Sequence, residues 1–84
     1  MKYEIKLTKS VLSQFKKISD DAYVRIREGI NMLKENPRPI GCKKLTNEAG
    51  YRIRVGKYRI LYTVNDRNLS VSIYRIAHRK DAYR

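Results

Sequence analysis

Residues 50–61 read GYRIRVGKYRIL, a pattern typical of two short strands joined by a tight turn at Gly56-Lys57. A two-residue loop fixes the register of a hairpin, and here it predicts that Arg54 faces Arg59. The flanking apolar pairs are Val55 with Tyr58 and Ile53 with Ile60. Like charges directly opposed destabilise a strand pair by a few tenths to about 1 kcal/mol. The pair therefore indicates an anionic ligand on that face.

The same alternation continues into a third strand. The predicted strands are Tyr51–Val55, Tyr58–Val64 and Leu69–Ile76, and residues 65–68 have the composition of a turn. We expect Val64 to face Leu69, and this register pairs Tyr62 with Val71 and Ile60 with Ile73. The face opposite the apolar one then gathers Arg52, Arg54, Arg59, Leu61, Ser72 and Tyr74. Arg75 falls on the apolar side, which indicates either a bulge near Tyr74 or a position at the rim of the sheet.

The first half of the chain predicts one strand and two helices. Lys2–Leu7 alternates as a half-buried strand, and Thr8 or Ser10 can cap the helix that follows. A second helix is predicted from about Asp20 to Glu35. The predicted buried faces comprise Val11, Leu12, Phe15 and Ile18 in the first helix, and Ala22, Tyr23, Ile26, Ile30 and Leu33 in the second, with Met32 beside the second face. Gly29 predicts a close helix–helix approach, and Arg38–Ala49 reads as a connector.

The charge of the chain points to an anionic partner. Its 84 residues are enough for one modest core, and 20 Lys and Arg against 8 Asp and Glu give a net charge of +12. Residues 51–84 carry 9 basic and 2 acidic side chains, a net charge of +7, so the excess lies around the hairpin. Nucleic acid is the commonest explanation, while an acidic protein or an anionic membrane surface is also compatible.

Several other classes of protein are not indicated. Cys42 and His78 are single residues of their types, which argues against an internal disulfide and structural zinc. The N-terminus lacks the apolar core of a signal peptide, and no apolar run is long enough to span a membrane. We therefore expect a cytoplasmic protein. No Gly-rich phosphate loop or Cys–His nucleophile pair is recognisable, so the available chemistry is cationic.

A cationic surface of this kind suits a phosphodiester. Arginines bind phosphate bidentately and stabilise the added charge of a pentacoordinate transition state, and tyrosines stack on unpaired bases. The 2′-OH of RNA is a built-in nucleophile, so the cations are compatible with metal-independent RNA cleavage. Plain RNA binding without catalysis fits the same residues.

Two stretches, YRIRVGKYRILY at residues 51–62 and RIAHRKDAY at residues 75–83, closely resemble the RelE branch of the RelE/ParE toxin superfamily. The resemblance implies a single RelE-like toxin domain over residues 1–84. Its expected fold is α+β: strand, two helices and three strands, with a mainly antiparallel sheet, the helices on one face and a short C-terminal tail. It also implies a type II toxin that cuts mRNA in the ribosomal A site by 2′-OH attack, leaving a 2′,3′-cyclic phosphate, without a cofactor.

The resemblance extends to partners. It implies a cognate RelB-like antitoxin that wraps and blocks the toxin, contact with the ribosome and mRNA, and operator DNA binding only through the antitoxin complex, with no membrane partner. Two alternatives remain at this point: a ParE-like inhibitor of DNA gyrase, and a non-catalytic module that binds RNA or the ribosome.

The resemblance also assigns roles to individual residues. Arg59 and Arg79 are expected to stabilise the transition-state charge and the leaving oxygen. Arg52 and Arg54 are expected to hold the substrate backbone. Tyr83 is expected to stack on a base or to orient the attacking sugar.

One departure from the family concerns proton transfer. The best-known members have lysines where this chain has Arg52 and Arg54, and a guanidinium does not give up its proton. His78 is then the only conventional candidate for a general acid or base, the alternative being an exposed histidine without a role. The further candidates for RNA contact are Lys43, Lys44, Lys57, Tyr74 and Lys80, with Lys43-Lys44 equally readable as a solvated loop.

Overall fold

The computed structural model describes residues 2–78. Its elements are β1 (Glu4–Leu7), α1 (Lys9–Phe15), α2 (Asp20–Glu35), β2 (Lys43–Lys44), β3 (Tyr51–Val55), β4 (Tyr58–Asn65) and β5 (Ser70–His78). The predicted order of strand, two helices and three strands is confirmed. The two-residue strand β2, within the predicted connector, is an addition.

The five strands form one sheet in the order β1-β5-β4-β3-β2. The three contacts from β2 to β5 are antiparallel, whereas β1 runs parallel to β5. A parallel neighbour needs a long crossover, and here the helices lie between β1 and the other strands in sequence. The mainly antiparallel α+β fold is confirmed.

Both helices begin where the sequence predicts. Thr8 Oγ1 accepts a hydrogen bond from Val11 N at 3.2 Å, and Ser19 Oγ accepts one from Ala22 N at 3.3 Å. Each bond satisfies one of the backbone N–H groups left without a partner in a first helical turn. Thr8, rather than Ser10, is therefore the cap of α1.

One face of the sheet packs against the helices and forms the core. Its buried members are Val11, Ile26, Ile30, Leu33, Ile53, Ile60, Tyr62, Val71, Ile73 and Ile76. One predicted member was wrong, because Leu12 is 49% exposed, and Met32, predicted beside the buried face, is 65% exposed. Both lie at the margin of a helical apolar stripe, where the curved helix surface turns away from the flat sheet.

Gly29 marks a close approach, but of a helix to a strand. A Cβ atom at this position would lie 2.8 Å from Val55 Cγ2, which belongs to β3. The predicted helix–helix contact was wrong in its partner. The absent side chain instead lets α2 settle onto the hairpin that carries Arg54 and Arg59.

The register of the first hairpin is confirmed, and that of the second was wrong. Arg54 pairs with Arg59, as the two-residue turn predicts. In the second hairpin Val64 pairs with Val71 rather than with Leu69. Leu69 belongs to the turn, with φ at +52°, and so cannot serve as the first paired residue.

A bulge then interrupts the pairing of β4 with β5. Tyr62 pairs with Ile73, but Leu61 pairs with Arg75, so Tyr74 is an extra residue on β5. Two residues of a bulged strand oppose one on its neighbour, which places Tyr74 and Arg75 together opposite Leu61. The predicted bulge near Tyr74 is confirmed, and it removes Arg75 from the helix-covered face.

A polar cluster ties the connector to the sheet. Arg38 donates from Nη2 to Asp66 Oδ2 at 2.9 Å and from Nε to the Tyr51 hydroxyl at 3.0 Å, while the Tyr3 hydroxyl donates to Asp66 Oδ1 at 2.7 Å. These hydrogen bonds from Arg38 and Tyr3 hold the pKa of Asp66 below its usual range. The cluster joins β3 and the β4–β5 turn, far along β4 from the Arg54–Arg59 pair.

Candidate active site

Within residues 2–78, the face of the sheet opposite the helices carries most of the predicted site residues. Alternation along β3 and β4 places Ile53 and Ile60 in the core and turns their chain neighbours Arg54 and Arg59 to the opposite face. The arginine face comprises Lys43, Arg52, Arg54, Arg59 and Arg75.

Arg54 and Arg59 form the most concentrated charge on this face. They are direct cross-strand partners, with Arg54 exposed and Arg59 half-buried. Gly56, at φ +58°, makes the tight turn that sets this register. A cavity of about 140 Å³ lies at this end of the hairpin, lined by both arginines, Gly56, Lys57 and Tyr58. Lys57 therefore adds a third cation to the rim.

A second row of basic residues lies one step along the strands. Lys43 pairs with Arg52, Arg52 pairs with Leu61, and Leu61 pairs with Arg75. A cavity of about 340 Å³ opens between the loop before β2 and the edge of β3, lined in part by Lys43, Arg52 and Arg54. Lys44 instead pairs with Tyr51 and so belongs to the opposite side.

Tyr74 braces a loop beside the arginine face. Its hydroxyl donates to Ala49 O at 3.3 Å, across β4 from its own strand. Burial and the nearby Glu48 carboxylate raise the pKa of Tyr74. The ring is half-buried, and its role in stacking on an RNA base stays a prediction.

His78 lies at the same end of the sheet as Arg59 but on the other side. It pairs with Tyr58, and the two rings meet edge to face with centroids 5.3 Å apart. Both rings line a cavity of about 470 Å³ between the hairpin turn and the start of α2, together with Asp21 and Arg25. The structure does not bring His78 onto the arginine face.

The described part of the chain has no evident group of metal ligands. Within residues 2–78 no three or more His, Cys, Asp and Glu side chains group together as metal ligands could. Cys42, half-buried and unpaired with another cysteine, lies near the buried Tyr62. No helix among these residues is long and apolar enough to cross a membrane.

A protein-family model matches almost the whole chain. Residues 5–83 match the model of the ParE toxin of type II toxin–antitoxin systems, parDE. The chain belongs to the RelE/ParE toxin superfamily. The putative toxin RelE1 of Methanocaldococcus jannaschii is 32% identical to it over 88 residues, which cover 100% of this chain and 98% of the relative.

Solved structures of RelE/ParE toxins share the fold. The toxin–antitoxin complex RelBE2 of Mycobacterium tuberculosis matches with a TM-score of 0.83 at 28% identity, covering 94% of this chain and 100% of that one. The archaeal RelE–RelB complex of Pyrococcus horikoshii OT3 matches with a TM-score of 0.81 at 27% identity, covering 94% and 97%. Both are complexes of a toxin with its antitoxin.

Three of the predicted site residues fall outside the described structure. Arg79, Lys80 and Tyr83 follow His78, the last residue described. Their roles stay predictions. The described residues supply Arg52, Arg54 and Arg59, which the fold does bring together on one face.

Arg75 is the member of the arginine face that sequence reasoning did not select. Strict alternation assigns it to the apolar side, where an unpaired guanidinium costs several kcal/mol. That conflict was the available signal, because a bulge is the simplest way to turn a charged residue of a central strand toward solvent.

Proposed function

We propose that this RelE/ParE superfamily member is the toxin of a RelBE-type pair and acts in the cytoplasm as a ribosome-dependent mRNA endoribonuclease. The observation that carries the proposal is the opposed pair Arg54–Arg59 on the helix-free face, with Arg52 beside it. Two guanidinium groups opposed across neighbouring strands suit a phosphate that both of them bind. The RelE name of the Methanocaldococcus jannaschii relative supports the RelE branch.

The proposed reaction is an internal transesterification in the ribosomal A site. The 2′-oxygen of the mRNA forms a bond to the adjacent phosphorus, and the bond from phosphorus to the 5′-oxygen breaks. The products are a 2′,3′-cyclic phosphate and a 5′-hydroxyl, so one proton moves from the 2′-oxygen to the 5′-oxygen. Arg59 stabilises the charge that builds on the phosphate oxygens, and Arg52 and Arg54 hold the substrate backbone.

The remaining steps fall to the C-terminal residues. Arg79 is proposed to contact the leaving 5′-oxygen, and Tyr83 to stack on a base or orient the sugar. Guanidinium groups stay protonated, so the 2′-OH needs another proton acceptor. His78 follows Ala77, the cross-strand partner of Arg59, but its ring contacts Tyr58. A general-base role for His78 therefore requires its ring to leave Tyr58.

Primer extension on translating ribosomes tests the proposal. We expect purified wild-type protein to produce codon-dependent cuts in mRNA, and Arg59→Ala to slow cleavage by about 100- to 1000-fold, the usual loss for one transition-state donor. Arg67→Ala is the matched control, because Arg67 is exposed in the β4–β5 turn at the far end of β4. Equal cleavage by the two variants contradicts the assignment of Arg59.

The same assay tests the proposed partner. The two structural relatives named above are complexes with an antitoxin, and the arginine face is a surface that an acidic segment can cover. We propose that a RelB-like antitoxin inhibits this toxin by covering that face, with ribosome and operator contacts as the resemblance implies. Adding the cognate antitoxin should abolish the cuts, and a complex that leaves Arg59 uncovered contradicts this mechanism.

A ParE-like inhibition of DNA gyrase is the second candidate, because the matching family model is that of the ParE toxin. The proteins for the cleavage assay can be tested for inhibition of gyrase supercoiling. Gyrase inhibition without mRNA cuts supports the ParE function. Ribosome binding with neither activity supports a non-catalytic RNA-binding module.

A further inference from the structure

The bulge in β5 adds a residue to the arginine face that the RelE resemblance does not assign. Pairing with Leu61 turns Arg75, an exposed side chain, to the same side as Arg52. Tyr74, the extra residue, projects to that side as well and is fixed by its hydrogen bond to Ala49 O. The position of Arg75 is therefore set by the backbone of a central strand.

Three cations form a line that crosses the strands. Lys43 on β2, Arg52 on β3 and Arg75 on β5 occupy one row of paired positions, with Leu61 on β4 between the two arginines. Strands in a sheet are about 4.8 Å apart, so the row spans roughly 14 Å from β2 to β5. The row of Arg54, Arg59 and Ala77 lies parallel to it, roughly 7 Å away along the strands.

Two nearly buried apolar residues lie between these cations. Leu61 is 7% exposed and Ala77 is 3% exposed, although both lie on the side away from the helices. A line of cations that crosses the strands fits the backbone of an extended single strand, whose phosphates follow one another at regular intervals.

We propose that Arg75, together with Arg52 and Lys43, holds the phosphates that neighbour the scissile one, so that the mRNA strand crosses the sheet perpendicular to its strands. The ligand is the backbone of single-stranded RNA, contacted at its non-bridging oxygens. This inference rests on the proposed function. It adds to it the path of the substrate and a positioning role for Arg75.

The test compares Arg75→Ala with Arg67→Ala in single-turnover cleavage on programmed ribosomes. We expect Arg75→Ala to raise the half-saturating concentration of toxin by about 10- to 100-fold, the range for a lost charged hydrogen bond. The cleavage rate at saturation should change little, since Arg75 does not contact the reacting atoms. Arg75→Lys should recover part of the loss, because it keeps the charge and loses the planar fork.

Uncharged phosphates separate RNA contact from a structural effect. Methylphosphonates are introduced one at a time at the phosphates flanking the cut. At one of these positions the methylphosphonate should raise the half-saturating concentration of the wild type about as much as Arg75→Ala does. It should not raise the half-saturating concentration of Arg75→Ala any further. The inference is overturned if the effects of Arg75→Ala and of the methylphosphonate on the half-saturating concentration add at every flanking phosphate. It is also overturned if Arg75→Ala behaves like Arg67→Ala. Wild-type protein that cuts no mRNA overturns the proposed function instead.

Discussion

At the scale of single residues, Tyr62 shows how a polar atom is accommodated in this small core. Its side chain is fully buried, and its hydroxyl donates to Pro37 O at 2.7 Å. Burial raises the pKa of this hydroxyl, which keeps it protonated as a donor. The bond fastens the end of α2 to the centre of the sheet.

We predict that Tyr62→Phe lowers the free energy of unfolding by about 1–3 kcal/mol, because the Pro37 carbonyl is left buried without its donor. Urea denaturation measures the change. Tyr23→Phe is the control, since that half-buried ring packs edge-on against Phe15 and keeps the contact without its hydroxyl. Equal stability of the two variants contradicts the role given to the Tyr62 hydroxyl.

At the scale of elements, Gln14 joins α1 to the part of β5 that β1 does not reach. β1 ends at Leu7, opposite Ile73. Beyond that point Gln14 Nε2 donates to Ile76 O at 2.8 Å, and Ile76 N donates to Gln14 Oε1 at 2.9 Å. One side-chain amide thus replaces a missing strand neighbour, immediately before Ala77 and His78.

We predict that Gln14→Ala destabilises the protein by about 1–3 kcal/mol and speeds amide hydrogen exchange at Ile76, since two bonds to a half-buried backbone are lost. Ser13→Ala, an exposed position on the same helix, is the control. Unchanged exchange at Ile76 in Gln14→Ala contradicts this account of the β5 edge.

The two hairpins show which elements of the fold a sequence can specify. The β3–β4 register follows from its two-residue turn, and the structure confirms it. The β4–β5 turn is longer and includes Leu69, which shifts the first pairs by two residues and leaves every side chain on its predicted face. The bulge at Tyr74 adds one residue, which reverses the faces beyond it and brings Arg75 into the site.

At the scale of the whole molecule, the net charge of +12 is organised rather than spread evenly. Arg52, Arg54 and Arg59 could be placed together from the sequence, because alternation and one tight turn are local rules. The strand β2 could not be predicted from the sequence, since two lysines give no periodic signal. β2 pairs with β3, and the connector before it is held to the β4–β5 turn by a hydrogen bond from Arg38 to Asp66, a contact between residues far apart in sequence.

The central claim is that the arginine face cleaves RNA by using the 2′-OH of the substrate. The most direct measurement compares two mRNAs on programmed ribosomes, one entirely ribonucleotide and one with 2′-deoxyribose throughout the A-site codon. We predict that the first is cut to a 2′,3′-cyclic phosphate and the second stays intact, although it competes for the toxin. Equal cleavage of both mRNAs, or cleavage of neither, contradicts the account.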